Sequence, residues 1–140
     1  MLDVCLLGTG GMMPLPGRHL AAALVRVNGR LILLDCGEGT QVAMRARGWG
    51  FRDLDAILLT HLHADHVAGL PGLLLTLGMS GRTAPLRIVG ARFTAAVVAA
   101  LRILAPRLPY AVREREMTGG ESFPPAAGSV RTLALTHQAP

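Results

Sequence analysis

The sequence predicts a layered α/β domain with sheets inside and helices outside. Strand-like runs come first and are followed by a mixture of helical and strand-like segments. Apolar residues make up 51% of the chain and aromatic residues only 4%, so small aliphatic side chains must build the core. The 140 residues suit one domain.

Seven apolar runs predict strands, at Val4–Leu7, Ala21–Val27, Leu31–Asp35, Ala56–Thr60, Leu86–Val89, Tyr110–Arg115 and Val130–Leu135. Asn28-Gly29 joins the second and third runs and predicts a tight hairpin, because both residues tolerate positive φ. Helices are expected at Gly39–Arg47, Leu70–Leu77 and Ala95–Leu104. The intervening segments Met12–Gly17 and Met117–Gly128 carry glycine and proline and are expected to be irregular.

All 14 basic residues are arginine, and the net charge is +5. A codon bias explains the absence of lysine as readily as a selection for phosphate contacts does. The charge suits a polyanion such as RNA. A basic surface without a nucleic-acid role is equally consistent with it, because the arginines are scattered along the chain.

The two cysteines, Cys5 and Cys36, lie in apolar segments and are expected to fill core space. Two isolated cysteines predict no disulfide framework, so the cytoplasm is the expected location. Glycines and prolines interrupt the N-terminal segment, which argues against a signal peptide. The longest apolar stretch, Leu70–Met79, is too short for a bilayer, so no membrane association is expected.

The segment Thr60-His61-Leu62-His63-Ala64-Asp65-His66 carries the chemistry of the sequence. Four side chains able to bind a metal fall within six residues at the end of a predicted strand. In an extended loop His61 and His63 point the same way, because side chains alternate. Imidazole nitrogen and carboxylate oxygen suit zinc, with manganese or iron as substitutes. The spacing therefore predicts one ion on His61 and His63 and a second on Asp65 and His66.

Four further positions carry weaker signals. Asp35 follows a strand and either fixes a ligand histidine by hydrogen bonding or caps a turn. The Gly8–Gly11 stretch is either a tight turn or a place where backbone approaches a ligand. His19 is expected to be an ordinary surface residue, with substrate contact as the alternative. His137 has no role on its residue type alone.

These residues resemble the metallo-β-lactamase superfamily, whose hallmark is the spacing His-x-His-x-Asp-His. The order of Leu7-Gly8-Thr9-Gly10, Pro14, Arg18, Asp35-Cys36-Gly37-Glu38-Gly39-Thr40-Gln41 and Gly69-Leu70-Pro71-Gly72-Leu73-Leu74 is similar to that of the ribonuclease Z family, the tRNA 3′-processing endonucleases. The resemblance implies an αββα four-layer sandwich of which residues 1–140 form the N-terminal portion of a single domain.

The resemblance also implies roles for single residues. His61, His63 and His137 would bind a first zinc, and Asp65 and His66 a second. Asp65 would also assist proton transfer as a catalytic residue, and Asp35 would support a ligand histidine. A hydroxide shared by the two ions would attack phosphorus, and the ions would offset the developing charge.

The family's chain continues well beyond its third-histidine motif and supplies a bridging aspartate and a last zinc histidine there. The sequence is therefore interpreted as a fragment, a truncated product or one half of a split protein. One sheet face would then lack its packing partner, which predicts self-association or the need for a missing C-terminal half. Homodimers are usual among the relatives.

Three functions follow from the sequence. The first is a zinc-dependent phosphodiesterase that matures a tRNA precursor, as ribonuclease Z does. The second is a hydrolase of another ester, thioester or cyclic phosphodiester on the same fold. The third is a catalytically incomplete chain that only binds metal or a partner.

Overall fold

A computed structural model describes residues 1–13, 15–125 and 129–134. Six strands form one sheet in chain order: β1 Leu2–Gly8, β2 Ala22–Val27, β3 Arg30–Leu34, β4 Leu54–Leu58, β5 Leu86–Gly90 and β6 Val112–Glu116. The strands from β1 to β3 pair antiparallel, and those from β3 to β6 pair parallel. A second sheet contains two strands, β7 Ser122–Phe123 and β8 Val130–Arg131.

The predicted hairpin between β2 and β3 is confirmed. Asn28 and Gly29 both have positive φ, 49° and 79°, as a two-residue type I′ turn requires. The turn places Val27 opposite Arg30. It thereby sets the register that directs the buried side chains Leu24, Leu31 and Leu33 toward one face.

Each parallel connection contains helix, as a crossover between parallel strands requires. The helices are α1 Thr40–Ala46, α2 Ala64–Val67, α3 Leu70–Met79 and α4 Thr94–Leu101, and Arg102–Leu104 continues α4 as a 3₁₀ turn. Pro71 lies in the first turn of α3, where its missing N–H costs no helical hydrogen bond. None of the described helices has the length and apolar character needed to cross a bilayer.

Three expectations differ from the structure. The C-terminal end of the helix expected at Ala95–Leu104 is 3₁₀ rather than α. The segment Met117–Gly128, expected to be irregular because of its glycines and prolines, contains the short strand β7. The strand expected at Val130–Leu135 is limited to Val130–Arg131 in the described part, and Leu135 lies outside it.

The main core lies between one face of the large sheet and the helices. The largest fully buried side chains are Leu24, Leu31, Leu33, Met44, Leu54, Ile57, Leu70, Leu73, Leu74, Leu77, Leu86 and Ile88. The helix layer and the sheet confirm the α/β class expected from the sequence. Small aliphatic side chains make up this core, as the shortage of aromatic residues predicts.

The opposite face of the sheet is covered unevenly. Near β4 and β5, Met117 and Phe123 pack on Ala56 and Val89, with Leu58 beside them. At the other edge Leu2, Val4 and Leu6 alternate along β1 and are 66%, 60% and 62% exposed. β1 is also an edge strand, so it has both apolar surface and unpaired backbone groups available for association.

We expect the chain to self-associate through this face, because each buried Å² of apolar surface contributes about 25 cal/mol. Replacing Val4 and Leu6 by arginine should shift the chain toward monomer in light scattering at equal concentration. Both side chains lie on the exposed face, so the core should be unaffected. A strictly monomeric parent chain would contradict the expectation.

Tyr110 joins the loop before β6 to the helix layer. It is the chain's single tyrosine, and its hydroxyl donates a 2.7 Å hydrogen bond to the carbonyl of Leu74 in α3. Burial disfavours the phenolate and raises the pKa of Tyr110 to about 12, although Arg82 and Arg102 oppose the shift.

The buried phenol predicts a loss of stability in alkali. The neutral form is favoured in the folded chain, so its stabilisation is complete below the unfolded pKa near 10 and is lost as pH rises toward about 12. Absorbance at 295 nm should report one late-titrating phenol. Tyr110→Phe should remove this pH dependence and lower the free energy of unfolding by about 1 kcal/mol. A phenol that titrates near pH 10 in the folded chain would contradict this assignment.

Candidate metal centre

The candidate site lies where the parallel strands β3 and β4 end. Asp35 directly follows β3, and Thr60 and His61 follow β4 after Leu59. Parallel strands present their carboxyl ends at one edge of a sheet, and ligand sites of open α/β sheets form outside that edge. The fold therefore brings together residues that are 25 or more positions apart in the chain.

The Asp35 carboxylate is the centre of the hydrogen-bond network at this edge. It accepts the backbone N–H of Thr60 at 2.8 Å and the Thr60 hydroxyl at 2.9 and 3.0 Å. Its Oδ2 also lies 2.8 Å from Nδ1 of His66. Asp35 is buried and has a φ of 56°, a left-handed conformation in which the chain leaves β3. Asp35 thus both forms the turn and contacts a histidine, while its support of a metal ligand stays a prediction.

The hydrogen bond to Asp35 fixes the proton of His66. A carboxylate accepts but does not donate, so Nδ1 of His66 carries the hydrogen. In the neutral ring Nε2 is then the nitrogen with the lone pair. This Nε2 lies 3.5 Å from Oδ2 of Asp65, so an imidazole nitrogen and a carboxylate oxygen point toward a common space.

His61 and His63 form the second pair of donors. Nε2 of His61 lies 3.1 Å from Nδ1 of His63, which confirms that the two side chains point the same way. The His61 ring also lies 4.0 Å from the ring of His66, centroid to centroid. The two pairs are therefore adjacent parts of one cluster.

Thr60 connects the Asp35 network to this second pair, a role that the sequence analysis missed. Its hydroxyl contacts the Asp35 carboxylate and also lies 3.0 Å from Nδ1 of His61. The hydroxyl has one hydrogen, and the carboxylate is the stronger acceptor, so the oxygen accepts Nδ1–H from His61. Nε2 of His61 then has the lone pair on the side of His63. The position of Thr60, between a strand and the first histidine, was the available signal.

The donor chemistry fits a transition-metal ion. Two atoms bound to one tetrahedral zinc at about 2.0–2.1 Å lie about 3.3 Å from each other. The separations within the two donor pairs, 3.1 and 3.5 Å, are close to that value. Across residues 1–13, 15–125 and 129–134 no group of three or more His, Cys, Asp or Glu side chains that could hold a metal is found. Within the described residues the cluster therefore offers possible donors in pairs.

Two glycines let the histidine segment lie directly against the turn after β3. A Cβ on Gly69 would lie 2.0 Å from the carbonyl oxygen of Gly37, and one on Gly37 would lie 2.5 Å from that of Asp65. Backbone hydrogen bonds from Cys36 to His66 and from Gly69 to Cys36 hold the contact, at 2.7 and 2.8 Å. Gly37 and Gly69, one from each of the two glycine-containing motifs, are therefore positions where a larger residue would clash with backbone.

The remaining predicted positions are placed as follows. A Cβ on Gly8 would lie 1.8 Å from the carbonyl oxygen of Leu20, so close approach of the backbone at Leu20, rather than a tight turn, accounts for this glycine. Gly11 faces Asp65, since a Cβ on Gly11 would lie 3.9 Å from Oδ2 of that residue. His19 is half-buried rather than fully exposed. His137 lies outside the described residues, so its role as a ligand stays a prediction.

Both cysteines are free, as expected. Cys36 is fully buried beside the site, and burial raises the pKa of its thiol to about 12 despite a hydrogen bond with Thr40. The thiol is therefore protonated at physiological pH and fills core space.

The comparison with known protein families shows to which family the chain belongs. A family model described as Anti-Pycsar protein Apyc1 matches residues 2–95, about two thirds of the chain. The chain belongs to this family. It is also similar to proteins named ribonuclease Z, which agrees with the resemblance derived from the motifs.

Two of these relatives come from Lachnoclostridium phytofermentans and Clostridium kluyveri. They are 55% and 49% identical to this member of the family over 84% and 100% of its length. The matched regions are 39% and 47% of the relatives, so the chain spans less than half of their length.

Solved structures confirm the fold. The structure of human tRNase Z, short form, is 34% identical, with a TM-score of 0.74 over 83% of the chain and 45% of the human protein. Zn²⁺-bound PqqB from Methylobacterium extorquens has the same TM-score at 22% identity, over 96% of the chain and 56% of that protein. The chain therefore has the metallo-β-lactamase fold and matches only part of these larger proteins.

The Asp35 network predicts a specific cost of mutation. Asp35→Ala should lower the free energy of unfolding by about 2–4 kcal/mol, because it leaves the donors of Thr60 and His66 without an acceptor. Asp35→Asn should cost less, since asparagine tolerates positive φ and its carbonyl oxygen still accepts a hydrogen bond. Urea unfolding of the two variants measures the difference. Equal loss in both would contradict the assignment of the carboxylate as acceptor.

Proposed function

We propose that this chain is the N-terminal portion, residues 1–140, of a single metallo-β-lactamase-fold domain that cleaves tRNA precursors at their 3′ end with bound zinc. The observation that carries the proposal is the donor cluster at the end of β4, oriented by Asp35 and Thr60. Sequence identities of 55% and 49% to proteins named ribonuclease Z support the substrate class.

In this proposal His61 and His63 hold a first zinc, to which His137 adds a third nitrogen, and Asp65 and His66 hold a second. Manganese or iron would suit the same donors. Zinc held there would supply a water activated near neutral pH and positive charge to offset that of a phosphate.

The chain's own residues orient the donors and handle protons. Asp35 keeps the proton of His66 on Nδ1, and Thr60 keeps that of His61 on Nδ1, so that both rings present Nε2. Asp65 lies beside His66 and carries the carboxylate that we assign as the catalytic acid–base group. Such orientation matters because loss of a supporting partner of this type costs about 10–100-fold in metal affinity or activity.

The charge of the chain supports a nucleic-acid substrate. The formal net charge is +5, and the substrate of the reaction would be a polyanion. The two free cysteines support a reducing compartment, and we assign the reaction to the cytoplasm. The exposed β1 edge supports assembly, either as a homodimer or with a C-terminal half of the domain.

A hydrolase of another ester, thioester or cyclic phosphodiester is the second candidate. It is favoured by the matching family model, whose description does not name a ribonuclease. A chain that only binds metal or a partner is the third, favoured by the presence of two rather than three donors per ion in the described part.

Metal analysis and cleavage test the proposal together. We expect the chain to bind zinc, His63→Ala to lose it, and His19→Ala to keep it as the matched histidine control. The chain should cleave a labelled tRNA precursor when mixed with the part of the Clostridium kluyveri relative that it does not match. Asp35→Asn should weaken zinc binding by about 10–100-fold.

Zinc binding that survives His63→Ala would refute the assigned donors. Zinc binding without cleavage of the precursor, but with hydrolysis of a small phosphodiester, would favour the second candidate. Zinc binding without either activity in the mixture would favour the third.

A further inference from the structure

The turn after β5 has an unusual residue at its strained position. The N–H and hydroxyl of Thr94 both bond to the carbonyl of Ala91, at 3.1 and 2.7 Å, so Arg92 and Phe93 are the two central residues. Phe93 has a φ of 73° and a ψ of 3°. These angles match the third position of a type II turn, where glycine is the usual residue.

The chain uses glycine for nearly the same angles at the start of another helix. Gly39, just before α1, has a φ of 81° and a ψ of 3°, almost the angles of Phe93 just before α4. A bulky residue in this region is a genuine outlier. Burial does not compensate for it, since Phe93 is 57% exposed.

Arg92 lies over the exposed ring of Phe93. Its guanidinium carbon is 4.5 Å from the ring centroid, within the range of a cation–π contact. No carboxylate of the described residues pairs with Arg92. The turn therefore presents an aromatic face beside a positive charge, with the nearby Glu116 carboxylate bound to the N–H of Ala95 at 3.2 Å.

This turn lies at the same edge of the sheet as the candidate metal centre. β4 and β5 are parallel neighbours, and the N–H of Leu59 donates to the carbonyl of Val89 at 2.7 Å. His61 lies two residues after Leu59, beyond the end of β4, and Arg92 lies three residues after Val89, beyond the end of β5. A chain lying across this edge would meet both.

We propose that Arg92 and Phe93 form a contact site for single-stranded RNA, in which a base stacks on Phe93 and Arg92 pairs with a phosphate. The proposal rests on the proposed function for its substrate class. Sequence-tolerant binding of single strands combines base stacking on aromatic rings with positive charge along the backbone, and this turn provides both. Backbone strain retained at an exposed aromatic residue is typical of a binding position.

Phe93→Gly gives a clean test, because it removes the ring and also relieves the strained φ. The probe is a ten-nucleotide single-stranded RNA with one 2-aminopurine, titrated at fixed salt in zinc-free buffer. We expect Phe93→Gly to weaken binding about fivefold or more, the loss of one base–aromatic stack, without a lower melting temperature. Phe93→Trp should restore binding and quench 2-aminopurine. Arg92→Ala should reduce the slope of log affinity against log salt by about 1.

Ile103→Ala is the matched control, since Ile103 is another exposed apolar residue but lies at the far end of α4. It should bind RNA like the parent chain. Equal RNA affinity of the parent and a folded Phe93→Gly variant would overturn the proposal, as would an absence of RNA binding by the parent.

Separate measurements can refute the proposed function and the RNA contact site. His63→Ala tests the metal donors through zinc binding, and Phe93→Gly tests the contact site through RNA binding in zinc-free buffer. RNA binding that depends on Phe93, in a chain that never cleaves a tRNA precursor, would refute the proposed function alone. Cleavage with full activity and RNA affinity in Phe93→Gly would refute the contact site alone.

Discussion

The carboxylate of Asp35 is the constraint on which the rest of the site depends. It terminates β3 in a left-handed conformation, binds the segment after β4 through Thr60, and holds the ring of His66. A buried carboxylate must have such partners, because burying an unsatisfied charge is costly. The same three contacts that satisfy the charge also set the orientation of two histidines. Fold and chemistry are therefore coupled at one residue.

Much of this arrangement is predictable from sequence because its signals are local. The Asn28-Gly29 hairpin and the alternation that brings His61 and His63 together follow from backbone geometry alone. The role of Thr60 is not predictable in this way, since its partner Asp35 lies 25 residues earlier and contacts it only after β3 and β4 pair. The conformation of Phe93 is equally hidden, because sequence rules assign that turn position to glycine.

The two faces of the sheet explain which elements were anticipated. The helices α1, α3 and α4 cover one face and are anticipated from their composition, whereas the four-residue α2 is not. On the other face β7 has two residues between glycines and prolines and gives no periodic signal, whereas β8 falls within the strand expected at Val130–Leu135. Phe123 and Met117 nevertheless bury Ala56 and Val89 there, so the second layer begins within this chain. The metallo-β-lactamase fold is therefore recognisable from a part of it.

The close contact between Gly37 and Gly69 has a consequence for folding kinetics. It closes a segment of only about thirty residues that contains β4 and all the donors of the histidine cluster. Contacts between residues near in sequence form faster than distant ones, because less chain entropy is lost on closing the loop. Paired positions of β1 and β2 are only 14 to 25 residues apart, so the β1 edge closes a shorter loop and is expected to form before the donor cluster acquires its geometry.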